Sequence, residues 1–163
     1  ESSIYNMRFE TKDNLRYFNF EEVSIMDVEL TKETVTLVLK GLIVKGTNPN
    51  NEECVDRFVD TANMRFLNGA ITGMVKEGFK YYDANGKLLK EKPDEEIVLT
   101  DIDQILKKCK DVPLYDVVVV SETQDEKKYQ IGIDLNEDDT YWIDITCSGT
   151  VMEWERFMNR VIY

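Results

Sequence analysis

Carboxylates are concentrated near the end of the chain, and they are the residues best suited to specific chemistry. Between Tyr129 and Glu155 there are seven carboxylates and no lysine or arginine. The charge is unevenly divided, with a net −2 over residues 1–92 and a net −10 over residues 93–163. A field of one sign favours oppositely charged partners and speeds their encounter. It also keeps a protein in solution, so the charge pattern alone leaves both roles open.

Alternating apolar residues around this stretch predict two strands, at about 128–135 and 140–147, joined by Glu137–Asp139. A one-residue slip would bury Asp144, so we expect the register that puts every apolar side chain on one face. Its pairs are Tyr129 with Cys147, Ile131 with Ile145, Ile133 with Ile143, and Leu135 with Tyr141. The opposite face then carries Trp142 directly across from Asp134.

An aromatic ring among carboxylates suits recognition of a basic protein, because the ring supplies desolvated area and the acids pair with Lys or Arg. The alternative is that another part of the chain covers Trp142. We predict a partner-binding site formed by Asp134, Glu137, Asp138, Asp139, Trp142 and Asp144. The expected function is a non-enzymatic acidic interaction domain, such as an immunity or inhibitor protein.

Two other motifs fit the same region poorly. Residues 134–140 begin like a calcium loop, but Asp139 stands where the sharp turn needs glycine and Ile145 where a bidentate glutamate belongs. Asp94 with Asp125 and Lys127 satisfies the letters of a nuclease pattern. However, the net charge of −12 would repel nucleic acid, so no nucleic-acid partner is expected.

The absence of histidine excludes several classes of enzyme. Neither Ser-His-Asp nor Cys-His nucleophile pairs can form, and His-ligated metal centres are equally impossible. The remaining enzymatic alternative is a carboxylate-based Mg²⁺-dependent or glycosidic hydrolase, using some of Asp116, Glu122, Asp134 and Asp144. No phosphate-binding glycine loop is found, and no cofactor is predicted.

Three scattered cysteines argue against a disulfide scaffold or a zinc ribbon. Cys109 and Cys147 fall on apolar faces and are predicted to lie in the core. Cysteines that are few, odd in number and far apart favour a cytoplasmic location. Because the chain begins at Glu1 without Met, removal of a leader and secretion remain an open alternative. The longest apolar run, Val117–Val120, is far too short to span a membrane.

One local resemblance points to a different function. Residues 78–87 read Gly-Phe-Lys-Tyr-Tyr-Asp-Ala-Asn-Gly-Lys. They resemble a single aromatic repeat of the choline- and glucan-binding cell-wall modules, which implies an extracellular binding module. Those modules stack several hairpins, whereas this chain has one copy and no Trp in it. The segment also predicts an ordinary hairpin with positive φ at both Asn85 and Gly86.

The remaining pattern predicts an α+β fold: an antiparallel β-rich first half, then helix–three strands–helix, with a C-terminal amphipathic helix packed on a sheet. Thr100 is expected to cap a helix near 101–109, and residues 114–120 to form a buried central strand. A short helix or turn near 52–58 is expected to precede further strands. A capping box at Thr150–Glu153 predicts the C-terminal helix, whose apolar stripe is Trp154, Phe157, Met158, Val161 and Ile162. The expected domains are 1–92 and 93–163, or one continuous domain 1–163.

Overall fold

Antiparallel strands make up most of the chain in a computed structural model that describes residues 7–136 and 139–163. One α-helix, α1 (Leu99–Lys107), and a 3₁₀ turn at Leu15–Tyr17 are the helical elements of these residues. The strands are β1 (Phe9–Lys12), β2 (Phe18–Asn19), β3 (Ser24–Leu30), β4 (Thr34–Lys40), β5 (Ile43–Val44), β6 (Arg57–Val59), β7 (Ala62–Leu67), β8 (Ala70–Lys76), β9 (Phe79–Tyr82), β10 (Leu88–Lys92), β11 (Glu95–Glu96), β12 (Val112–Glu122), β13 (Lys127–Asn136), β14 (Asp139–Cys147), β15 (Gly149–Trp154) and β16 (Phe157–Arg160).

Ten of these strands form one sheet in the order β1-β15-β7-β4-β3-β12-β13-β14-β8-β11. A four-stranded sheet, β16-β6-β5-β2, and the β9–β10 hairpin complete the fold. Strands from residues 1–92 and from residues 93–163 are interspersed within the large sheet. The division of the chain into those two segments stays a prediction.

The two halves of the large sheet contribute to one hydrophobic core. Phe66 of β7 and Tyr129 of β13 are both fully buried, with ring centroids 5.7 Å apart. At the other end of the core Trp154 is inaccessible to solvent and packs against Phe9, Phe18 and Phe157. Cys109 and Cys147 are buried, as predicted, and all three cysteines are free thiols.

The predicted α+β fold with a C-terminal helix is wrong. Residues Thr150–Glu153, interpreted as a capping box, lie in β15, and Phe157–Arg160 form β16. All six residues of β15 are buried, and the strand pairs with β1 on one side and β7 on the other. The apolar residues of this segment are three and four positions apart, which fits a helix locally. Pairing with strands some 90 and 140 residues earlier in the chain overrides it.

The helix near 101–109 does form, but it begins two residues earlier than expected. Val98, rather than Thr100, is the N-cap residue of α1. Ile102 and Leu106 of this helix are buried. Asp101 in the first turn and Lys107 in the last complement the helix dipole.

The predicted buried central strand at residues 114–120 is part of β12 and is far more exposed than expected. β12 pairs with β13 along its length, but with β3 only at Val112 and Pro113. Beyond that point no other described strand pairs with its second edge. Val119 and Val120 are therefore 46% and 53% exposed. A run of valines is compatible with a strand buried on both faces or with an edge strand, and the sequence did not distinguish them.

Candidate functional site

The predicted β13–β14 hairpin forms, but in a register two residues away from the expected one. The observed pairs include Ile131 with Ile143 and Ile133 with Tyr141. A shift of two keeps each side chain on its predicted face, because side chains alternate with period two. Trp142 consequently lies opposite Gly132, not opposite Asp134.

The shift arises at the turn. Asp134 pairs with Thr140, and the next pair is Asn136 with Asp139, so Leu135 is an extra residue that forms a bulge. The prediction of a three-residue loop at Glu137–Asp139 did not include this bulge. Glu137 and Asp138, two of the predicted site residues, lie outside the described residues.

Trp142 is half-buried, and its indole ring packs over Gly132. An ideal Cβ placed on Gly132 would lie 3.0 Å from Cζ3 and 3.1 Å from Cη2 of the indole. The ring therefore lies across the strand where another residue would have its side chain. Tyr115 packs edge-on against it, with centroids 5.7 Å apart and planes at 83°. The indole Nε1 donates a hydrogen bond to Glu77 Oε1 over 3.4 Å. Trp142 thus has a defined position while part of its surface stays open to solvent.

Asp134 and Asp144 accept hydrogen bonds from neutral side chains. Thr140 Oγ1 donates to Asp134 Oδ1 at 2.8 Å, and Gln130 Nε2 donates to Asp144 Oδ1 at 2.9 Å. Neither carboxylate forms an ion pair with any lysine or arginine in residues 7–136 and 139–163. The neutral donors fix the orientation of both groups and leave their negative charge available.

Asp139 differs from these two carboxylates. Asn136 Nδ2 donates to Asp139 Oδ2 at 3.0 Å, and Lys76 Nζ lies 3.4 Å from Oδ1. The hydrogen bond from Asn136, followed by the charge of Lys76, lowers the pKa of Asp139 despite partial desolvation. Asp139 is already engaged within the chain, so it contributes less to an external partner than predicted.

Neighbouring strands extend this surface with residues that were not predicted to belong to it. Val75 of β8 pairs with Trp142, Glu96 of β11 pairs with Val75, and Asp116 of β12 pairs with Gly132. Because directly paired residues share a face, these side chains lie in one row across the sheet. Local sequence windows could not reveal this row. We call the resulting surface the acidic–aromatic face, formed by Glu77, Glu96, Tyr115, Asp116, Asp134, Trp142 and Asp144.

Two open clefts lie on either side of Thr72, and one of them is lined by Asp144. One has a volume of about 260 Å³ and is lined partly by Thr72, Gln130 and Asp144. The other, of about 460 Å³, is lined partly by Thr72, Gly73 and Glu96. A Cβ on Gly73 would lie 3.1 Å from Asp144 Oδ2, so the absence of a side chain at Gly73 leaves space beside this carboxylate. The cleft beside Asp144 has room for a long side chain that reaches this carboxylate.

The arrangement offers little to the hydrolase alternative. Asp116, Asp134 and Asp144 share the outer face, whereas Glu122 accepts a hydrogen bond from the hydroxyl of Tyr129 at 3.1 Å. Over the described ranges, no three Cys, Asp or Glu side chains are grouped so that they could hold a metal ion.

The residues of the nuclease pattern are not brought together either. Asp94 accepts from the backbone N–H of Gly78, beyond one end of the β8–β14 ladder. Lys127 Nζ donates to the carbonyl of Ser148, beyond the other end of β14.

Comparisons with protein-family models, with curated proteins and with solved structures find no match for this chain. Within the part of the chain that the structure describes, no helix has the length and apolarity needed to cross a membrane.

Proposed function

We propose that this chain is a non-enzymatic interaction protein that binds a basic protein partner through its acidic–aromatic face. The observation that carries the proposal is the position of Trp142. Its ring lies over Gly132 against Tyr115, and on the same face Asp134 and Asp144 accept side-chain hydrogen bonds from the neutral donors Thr140 and Gln130.

Each part of this surface supplies a different contribution to binding. Trp and Tyr are enriched among the residues that dominate interface energies, because they bury large rigid areas. The two carboxylates can form charge-assisted hydrogen bonds with Lys or Arg, which are about twice as strong as neutral ones. Since the neighbouring donors already orient the carboxylates, little side-chain entropy is lost on binding.

The net charge of −12 adds a long-range attraction for a basic partner. An immunity or inhibitor protein that neutralises a cationic enzyme would use a surface of this kind. The three free cysteines favour a reducing compartment, and we propose the cytoplasm as the place of action.

Comparative affinity capture tests the proposal. The wild-type chain, Trp142→Ala, Asp144→Lys and Asp125→Lys would be immobilised, exposed to the same lysate and eluted with increasing salt. Asp125→Lys is the matched control, because it makes the same charge change at an exposed turn away from the face. We expect a basic protein that the wild type and the control retain and that both face variants lose. Equal retention by all four proteins would contradict the proposal.

A further inference from the structure

The β9–β10 hairpin exposes an unusual amount of apolar surface. Tyr81, Tyr82, Leu88 and Leu89 are between 42% and 65% exposed, and every residue of β10 is exposed. An isolated two-stranded hairpin is marginally stable in water, so such a surface has a cost unless another molecule covers it. The hairpin is therefore a second candidate interaction surface, next to the acidic–aromatic face.

One side of the hairpin combines aromatic rings with lysines. The cross-strand pairs Tyr81 with Lys90 and Phe79 with Lys92 place these four side chains together. The two rings lie 4.9 Å apart, and Lys90 Nζ lies 5.6 Å from the centroid of the Phe79 ring. The glutamate of β10, Glu91, pairs instead with Lys80 on the opposite side. We call the surface of Phe79, Tyr81, Lys90 and Lys92 the basic–aromatic side.

The basic–aromatic side and the acidic–aromatic face are complementary in charge and alike in aromatic content. We propose that the basic–aromatic side of one copy of this chain binds the acidic–aromatic face of a second copy. The inference rests on the proposed function and names one binding partner of the acidic–aromatic face: the hairpin of a second copy, which is locally basic although each whole chain carries a net charge of −12. Lys90 pairs with Asp134 or Asp144, while Tyr81 packs against Trp142 and Tyr115.

Within one chain the two surfaces adjoin at a cleft lined partly by Glu77, Phe79 and Lys92, but Tyr81 and Lys90 of the hairpin stay exposed, so we assign their contact with the face to a second copy. The hairpin leaves the sheet after β8 and returns at β11, at the sheet edge. Tyr81 is 54% exposed, and its described ring contact is with Phe79 of the hairpin. Trp142 makes its ring contact with Tyr115 of β12. Both surfaces thus stay open to another molecule.

The symmetry of the resulting assembly follows from the geometry of the contact. Each copy offers one hairpin and one face, and these are different surfaces. Contacts of this heterologous kind continue head to tail into rings or filaments rather than stopping at a symmetric dimer. Because oppositely charged exposed groups drive the contact, salt should weaken it.

Sedimentation velocity with complementary variants tests this inference. Tyr81→Ser with Lys90→Glu disables the hairpin, and Trp142→Ala with Asp144→Lys disables the face. Lys32→Glu, at an exposed turn, is the matched charge control. Circular dichroism would establish that every variant is folded.

We expect the wild type and Lys32→Glu to form species larger than dimers as the concentration rises, and high salt to dissociate them. Each double variant alone should associate at least roughly tenfold more weakly. Mixed together, the two double variants should form one-to-one complexes that do not grow, because only one intact hairpin and one intact face remain.

A wild type that stays monomeric from micromolar to millimolar concentration would overturn the inference, and so would variants that assemble like the wild type. The proposed function has a separate readout: the hairpin variant retains the acidic–aromatic face and can be tested for capture of basic proteins. If the wild type is monomeric and this variant still captures a basic protein that Trp142→Ala loses, self-association is refuted and the proposed function stands.

Discussion

Replacing Gly132 with valine should displace Trp142 while leaving the fold almost unchanged in stability. Gly132 does not have a positive φ, so a side chain creates no backbone strain. The obstacle is space: its Cβ would lie 3.0 Å from the indole and 3.2 Å from Cδ2 of Tyr115. Favourable carbon–carbon contacts lie at about 3.5–4.0 Å, so both rings must retreat even before the methyl groups of valine are placed.

The magnitudes explain why stability and binding should separate. Loss of the edge-on contact between the rings costs about 0.5–1.5 kcal/mol. Replacement of a glycine by valine within a strand raises the free energy of unfolding by up to about 1 kcal/mol, through backbone entropy and strand propensity. The free energy of unfolding should therefore change by less than about 1 kcal/mol. Binding of a basic partner should fall by more than roughly tenfold, because the central aromatic residue has moved.

Acrylamide quenching of tryptophan fluorescence measures the displacement. The chain has two tryptophans, and Trp154 is fully buried, so added quenching reports on Trp142. Gly132→Val should shift the emission to longer wavelength and increase quenching. Gly73→Val is the matched control, since its Cβ would meet the carboxylate of Asp144 and no ring. If Gly132→Val quenched like the wild type, the reasoning that this glycine seats the indole would be refuted.

Three further predictions concern stability. Asn51→Ala should lower the free energy of unfolding by about 1–3 kcal/mol in urea titrations, because the buried Nδ2 donates to three backbone carbonyls of its loop; an unchanged midpoint would contradict this. Trp154→Ala should cost about 3–5 kcal/mol in the same assay, and a loss below 1 kcal/mol would show that the core is arranged differently. Side-chain hydrogen bonds lower the pKa of Asp27, Asp56 and Asp139 below the ordinary 3.8, so the stability that they contribute is complete above that pH and is lost as the pH falls through their lower folded-state pKa values. Urea midpoints measured from pH 6 to pH 2 should decrease mainly below 3.8, and less steeply in Asp56→Asn; equal slopes would contradict the assignment.

Local patterns predicted elements whose partners lie close in the sequence. The hairpin around Asp83–Lys87 forms as expected, although only Gly86 has a positive φ. The Asp83 carboxylate accepts hydrogen bonds from the N–H groups of Asn85 and Lys87, which stabilises a longer turn than the predicted two-residue one. The faces of β13 and β14 were also predictable, because a register shift by an odd number of residues would turn their apolar side chains towards solvent. Their register was not, since it depends on the bulge at Leu135.

Pairing between distant segments could not be read from the sequence. Trp154 and Phe157 fit a helical stripe, yet they lie on separate strands, and pairing of β15 with β1 and β7 decides the outcome. A short helix or a turn was expected near 52–58 before further strands; a turn forms there, and β6 and β7 follow.

In the candidate site, too, only the residues that lie close together in the sequence were predictable. Trp142, Asp134 and Asp144 were predictable as one face of a hairpin. Tyr115 and Glu77 come from distant segments and became visible only when the sheet was assembled.

The most direct test of the acidic–aromatic face is a ¹⁵N–¹H spectrum recorded while an arginine-rich peptide is added. The two tryptophans give two indole N–H signals, so the protein carries its own control. The Trp142 signal should shift in a saturable, salt-sensitive manner, because its ring lies beside Asp134 and Asp144, while the signal of buried Trp154 stays in place. Saturable binding with no movement of the Trp142 signal, or an absence of binding at low salt, would contradict the account.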